Sequence, residues 1–446
     1  MHLFIYTALA DIHGYAAKGD SVRLRLELLA IFAVLLVVFY GLRRHHGLQA
    51  IMGLAVLGVV TFFAVRGEVA VRVQEAQQTF LVPHVPKTCF AATADSRVTS
   101  LDSLNEPEDF GYPAKTLDRF EVRDRLMDGS YDSLDSLLTA YSDSARGDFR
   151  FEYRMMDAFG AFFTASSSLE PFLDDWVKAR PSSGNALLAR ASYRAAAGWH
   201  VRGADLFRKT SFGRAIGAQS NFTNALSDLH AALRILPCSV IAYHTFMSIA
   251  PYDGDTAMSR EAMDQALVIQ PYSFLAREAH MLNLRPRWGG SYEAMEQLAR
   301  EADSLSDRNP RLRALHGFAA WDAGDVAERK NDTAGALQLY DRALTFGDFW
   351  RFRLERGQLY YQLDRHADAL VDLERALIQR PQSARLLDRL ASTKYELGRA
   401  ATGHERDRLF YETYGDESLA TLLEPDEERY QKEMAFYKSN IPEYAH

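Results

Sequence analysis

The sequence predicts an all-α protein, an array of helical hairpins behind a two-helix transmembrane hairpin, and three observations predict it. Two long uncharged apolar runs stand near the N-terminus. From about residue 116 onward, apolar residues return at helical spacing and no stretch alternates at period two. Short segments of the body also recur 33 or 34 residues apart, which is how a repeat architecture shows itself in sequence.

The bulk numbers frame these observations. The chain has 446 residues, 48% apolar and 25% charged, the balance of a folded globular protein. Residues 1 to 80 hold seven Lys/Arg against five Asp/Glu, so the net charge of −8 leaves about −10 on the remainder. A body that acidic has no long-range attraction for phosphate backbones, which argues against nucleic acid as a partner. The two cysteines, Cys89 and Cys238, are far apart in the chain. We expect no disulfide framework from them, and any zinc site would need mainly histidines.

Residues 1–25 read as an N-terminal tail and 26–66 as the transmembrane hairpin. The runs "LLAIFAVLLVVFYGL" (28–42) and "GLQAIMGLAVLGVVTFFAV" (47–65) carry no charge, and a spanning helix needs about 20 apolar residues. The first run is short and spans if Arg25 and Arg43 reach the interface. A cleaved signal is the competing reading, but "RRHHG" follows the run directly, with no small-x-small site. Lys18, Arg23, Arg25, Arg66 and Arg72 flank the pair of spans, against Arg43 and Arg44 in the turn. That asymmetry predicts that the C-terminal body lies on the cytoplasmic side of an inner membrane, the periplasm being the alternative.

Residues 67–115 include four prolines within 81–115 and show no sustained period, which predicts a linker or loosely packed lead-in. The expected divisions after it are a helical domain with irregular repeats over 116–310, regular repeats over 311–400 and a helical cap over 401–446. The repeat is visible in "NALSDLHAALRILP" (224–237) against "SREAMDQALVIQP" (259–271), with Pro237 and Pro271 34 residues apart. It returns in "AGALQLYDRALTFGD" (334–348) against "ADALVDLERALIQRP" (367–381), with Ala336 and Ala369 33 apart. Each segment ends in Ala-Leu, two or three residues and a breaker.

These residues resemble the tetratricopeptide repeat over roughly 180–400. Gly357, Tyr360, Ala369, Leu373, Ala376 and Pro381 match its small, aromatic and proline positions, and Gly324, Ala327, Ala336, Tyr340 and Ala343 do so one copy earlier. The resemblance implies a right-handed α-solenoid in which small residues let paired helices approach closely. It also implies a groove lined by the first helix of each pair, with Trp321, Asp325, Arg329, Arg351, Gln358 and Tyr361 facing a bound protein or peptide. Trp321 has a second expectation, packing between units. Separately, "LMDGSYDSLDSLLTAY", "AAAGWHVRG" and "RWGGSYEAM" resemble a bacterial helical family known only by a placeholder domain-of-unknown-function name. That likeness implies no activity.

Two segments interrupt the period. "RPRWGGSYEAM" (285–295) pairs glycines with a following helix, as a phosphate loop does, but no Lys-Ser/Thr follows and no strand precedes. Gly289 and Gly290 are expected to reverse the chain, and Ser291 to cap the next helix. The other interruption covers 198–222. Together they carry a candidate cluster of Trp199, His200, Arg202, Arg285, Arg287 and Trp288, where repeat proteins display binding elements. No H-E-x-x-H, G-x-S-x-G or C-x-x-C pair is present, so no catalytic residue, cofactor or metal is expected. The function predicted is a membrane-anchored scaffold or adaptor for a protein or peptide. A helical envelope-associated enzyme, with its site in the 198–222 and 285–291 insertions, is the alternative.

Overall fold

The computed structural model of the protein describes residues 81–89, 119–164, 166–203, 212–252 and 254–441. The chain divides into two compact units, Met1–Gln78 and Thr79–His446, and every described residue belongs to the second. The tail, the apolar runs 28–42 and 47–65 and most of the lead-in lie outside the described residues. Among those described, no helix is long and apolar enough to cross a membrane.

The described residues form 17 α-helices and no strand. Four come first: α1 (Arg119–Met127), α2 (Tyr131–Gly147), α3 (Glu152–Gly160) and α4 (Glu170–Ala179). Consecutive pairs follow: α5 (Gly184–Arg202) with α6 (Phe212–Ile235), α7 (Val240–Ile249) with α8 (Thr256–Ile269), and α9 (Phe274–Asn283) with α10 (Tyr292–Ala302). A 3-10 helix, Pro310–Gly317, leads into α11 (Phe318–Arg329) and α12 (Thr333–Leu344). Then come α13 (Trp350–Gln362) with α14 (His366–Gln379), α15 (Ala384–Ala400) with α16 (Gly403–Leu423), and α17 (Glu428–Asn440).

Local chemistry starts these helices. Pro-x-Ser recurs before α5, α7 and α9, and in each the serine hydroxyl accepts the amide three residues on: Ser183 from Ala186, Ser239 from Ala242, Ser273 from Ala276. Proline ends one helix and serine satisfies an orphan donor of the next. The turn at 285–291 behaves as its sequence suggests. Gly289 takes a left-handed φ of 92°. A Cβ on Gly290 would lie 2.1 Å from the Leu284 carbonyl oxygen, and Ser291 caps α10 through the Ala294 amide. Part of the 198–222 segment, residues 204–211, lies outside the described residues. Trp199, His200 and Arg202 form the last turn of α5, whose partner α6 runs to 24 residues.

Chain neighbours make the tightest pairs, above all α5–α6, α11–α12, α13–α14 and α15–α16. Small residues set the spacing. A Cβ on Gly324 would meet the Tyr340 ring at 2.5 Å, and one on Gly357 would meet Leu373 at 3.1 Å. Leu373 and Ala376 are fully buried in a cluster with Leu354, Leu386 and Leu390. The main core is continuous from Val82 to Leu359, so residues on both sides of position 310 share it.

One expectation, that for the cysteines, is corrected, and one part of the lead-in is placed. Residues 81–89 are docked, not loose: Val82 and Cys89 are buried, Tyr243 donates its hydroxyl to the Pro83 carbonyl (3.0 Å), and the Val85 amide donates to Gln265 (2.7 Å). Cys89 and Cys238 are joined in a disulfide, their Cα atoms 5.2 Å apart across 149 residues of sequence. Distance along the chain said nothing about distance in space, because Cys238 sits in the Pro-x-Ser turn before α7 and the lead-in folds back onto it.

The first helices close on the end of the array. Arg123 donates to the carbonyls of Ala161 and Leu423, the Arg119 amide donates to Gln382, and Thr164 donates to Glu424. Among α15–α17, Glu417 is fully buried and neither of its carboxyl oxygens has a hydrogen-bond partner. Burial, with Asp388 and Glu433 nearby, pushes its pKa up to about 8. A pKa raised in the folded state contributes stability that is complete below the ordinary glutamate value and is lost as pH rises through the raised one. The melting temperature is therefore expected to fall between about pH 4.5 and pH 8. Glu417→Gln, neutral at every pH, should flatten that slope in thermal scans; an unchanged slope would show that Glu417 is not its source.

Candidate functional site

The site begins with how α3 lies against the array. Glu152, buried, accepts the Ser273 hydroxyl (2.7 Å) and the amides of Phe274 (3.0 Å) and Leu275 (3.1 Å). It thus caps α9 from outside, where an acidic group complements the helix dipole. Burial pushes its pKa up to about 7 against the opposing pull of those donors. The next residue, Tyr153, donates to Glu278 Oε2 at 2.8 Å, and Arg351 Nε donates to Glu278 Oε1 at 2.7 Å. Glu278 therefore ties α3, α9 and α13 together.

Beside this junction lies a cavity of about 400 Å³, within the size range of small-molecule sites. Its polar end holds His244, Glu278, Arg351 and Arg380. Trp199, Trp288 and Trp350 supply aromatic wall, and Met156, Met247, Leu275 and Leu282 supply aliphatic wall. Phe163 also lines it and stays partly exposed. The cations are held in place. Arg351 lies 4.3 Å and Arg380 5.5 Å from the Trp350 ring centre, and Arg380 pairs with Asp157 at 3.6 Å. Burial drives the His244 pKa down to about 4; Arg351 and Arg380 push the same way and Glu278 opposes them. The imidazole is neutral at pH 7.

The structure sorts the twelve residues singled out in the sequence. Trp199 and Trp288 meet edge to face at 5.8 Å, with the Arg202 guanidinium over both rings at 5.3 and 5.4 Å and Arg287 over Trp288 at 4.9 Å. Arg285 lines the cavity as well, donates to the Leu282 carbonyl and lies over Trp321 at 5.5 Å. Burial pushes its pKa down to about 10. His200 is exposed and outside the group. Of the expected groove residues, Arg351 enters the cavity, while Asp325 pairs with Arg329 and Gln358 accepts from Arg385 at 3.4 Å. Tyr361, half-buried, packs near the His366 ring. Trp321 does not line a groove: only 5% exposed, it packs edge-on against Phe318. Arg285 and Phe318 close around its ring.

Sequence reading passed over His244, Glu278, Tyr153, Trp350 and Arg380. A signal for two of them was available in the period. His244 and Glu278 are 34 residues apart, as are Ser248 and Leu282, and Pro251 and Arg285, and all six line the cavity. Equivalent positions of two successive units thus share one face. Tyr153 lies outside the repeats and carried no such mark. Among the described residues no three His, Cys, Asp or Glu side chains converge as a metal site requires. No family model and no curated protein matches this chain.

Proposed function

We propose that the protein is a membrane-tethered, tetratricopeptide-like scaffold or adaptor that holds a protein or peptide partner on the first-helix face of α11, α13 and α15. The observation that carries this reading is a polar ladder across those helices. Gln362 donates to Glu328 (3.0 Å) between α13 and α11, and Arg385 donates to Glu355 (3.1 Å) between α15 and α13. Asp325, Arg329, Gln358 and Tyr361 stand along it, with an aromatic ring among charges, the mixture that anchors many interfaces. Binding fits the neighbouring cavity better than proton transfer does. Both Glu278 oxygens are engaged, and no carboxylate hydrogen-bonds to His244 among the described residues.

The Cys89–Cys238 bond supports an oxidising compartment for the body, because such bonds are rare where thiols are kept reduced. That favours the periplasmic side of the inner membrane over the cytoplasmic side suggested by the arginine count.

The test is partner retention. Replacing Gln358 and Tyr361 together with alanine should weaken capture of the co-purifying partner at least tenfold, about 1.4 kcal/mol or more, with helicity unchanged by circular dichroism. Arg329→Glu, on an exposed side chain, should weaken it too. Equal partner affinity in both variants and the parent would overturn the assignment of this face.

A further inference from the structure

We propose that the cavity between α3, α7, α9 and α13 binds a small carboxylic acid with a flat or compact apolar body. The carboxylate would sit among Arg351, Arg380 and His244, and the body against the indoles of Trp199, Trp288 and Trp350. This site is distinct from the polar ladder and goes beyond the scaffold reading.

The hydrogen-bond inventory points to an acceptor-rich head. Among the described residues, the one carboxylate at the polar end, Glu278, is engaged on both oxygens by Tyr153 and Arg351. Donors are in surplus. Only Nε of Arg351 bonds to protein, His244 makes no protein hydrogen bond among the described residues, and Trp350 Nε1 is a buried donor without an acceptor. Buried donors without partners are uncommon, since each forgoes the hydrogen bonds it had in water.

Charge sets the sign. Arg119, Arg123, Arg351 and Arg380 are interleaved with Asp157, Glu278 and Glu424 around this junction, and the guanidinium groups favour an anionic head over a cationic one. The depressed His244 pKa has the same origin in part, since Arg351 and Arg380 both disfavour a further cation there.

Shape sets the body. Trp199 is fixed by its Nε1 donating to the Ser248 carbonyl at 2.8 Å and by its edge contact with Trp288. Trp350 is held by two guanidinium groups near its ring. Such pre-set rings lose little entropy on contact with a flat ligand. Tyr153 and Met156 of α3 line the same space, so an extended peptide has no track along the face and the volume suits one compact molecule.

The experiment uses the purified full-length chain and 3-phenylpropionate, with its amide and the tetrapeptide Gly-Gly-Gly-Phe as free acid. Binding is read by tryptophan fluorescence and by the NMR titration of His244. The acid should bind at least tenfold tighter than the amide, and its binding should raise the His244 midpoint, because the carboxylate offsets the two arginines. Arg351→Gln and, separately, His244→Gln should each remove the preference for acid over amide while leaving amide binding in place. His244→Gln keeps the test valid if loss of the Arg351–Glu278 pair harms folding. Equal binding of acid and amide, or no binding of either, would overturn the proposal. Tighter binding of the tetrapeptide than of 3-phenylpropionate would also overturn it, identifying the cavity as a socket for chain ends.

Discussion

Ala376→Arg is expected to be the most damaging single substitution in the body, costing at least about 4 kcal/mol. Ala376 is fully buried where α14 meets α13 and α15, among Leu354, Leu373, Leu386 and Leu390. An arginine there must force the helices apart, and its guanidinium would be desolvated without a carboxylate in that apolar cluster. Leu373→Ala at the same contact should cost about 2–5 kcal/mol, through lost burial and the void left against Gly357. Val371→Arg, on the same helix but 56% exposed, should stay within about 0.5 kcal/mol. Urea unfolding followed by circular dichroism measures all three. If the two core variants unfold at the parent's midpoint, α14 does not pack as described.

Opening the Cys89–Cys238 bridge is expected to have the second largest effect, about 2–4 kcal/mol. The bond closes a loop of 149 residues, so breaking it restores much chain freedom to the unfolded state. It also releases the 81–89 segment from α7 and α8. Cys238→Ser, and reductant acting on the parent, should therefore lower the unfolding midpoint by similar amounts, while reductant should not affect Cys238→Ser further. In cells, a membrane-permeant alkylating reagent applied before lysis should leave both parental cysteines unlabelled. Complete labelling of both would place the body in a reducing compartment and restore the cytoplasmic assignment.

Much of the helical architecture was legible because its causes are local. Pro237 and Pro271 end helices by what proline lacks, and Ser239 and Ser273 begin the next ones by what a hydroxyl can accept. Gly324 and Gly357 were readable as close contacts because the repeat puts Tyr340 and Leu373 opposite them. The turn at Gly289, Gly290 and Ser291 was likewise a matter of adjacent residues. Arg351 lines the cavity beside Glu278, while Trp321, four residues before Asp325 on α11, is enclosed. Exposure at that position depends on Phe318 and Arg285, and nothing in the α11 pattern reports Arg285.

By itself, then, the sequence determined the helices, their caps and their period. All of these follow from interactions within one hairpin or between similar neighbours. Only the tertiary structure decided that α3 lies against α9, that Glu152 caps α9 and that Glu278 joins Tyr153 to Arg351. It alone decided that Cys89 reaches Cys238 and that Trp199, Trp288 and Trp350 enclose one cavity. These contacts join segments from 73 to 149 residues apart. Their formation depends on how the whole array curves back on its own first helices, a sum of many small packing angles that no single segment of sequence records.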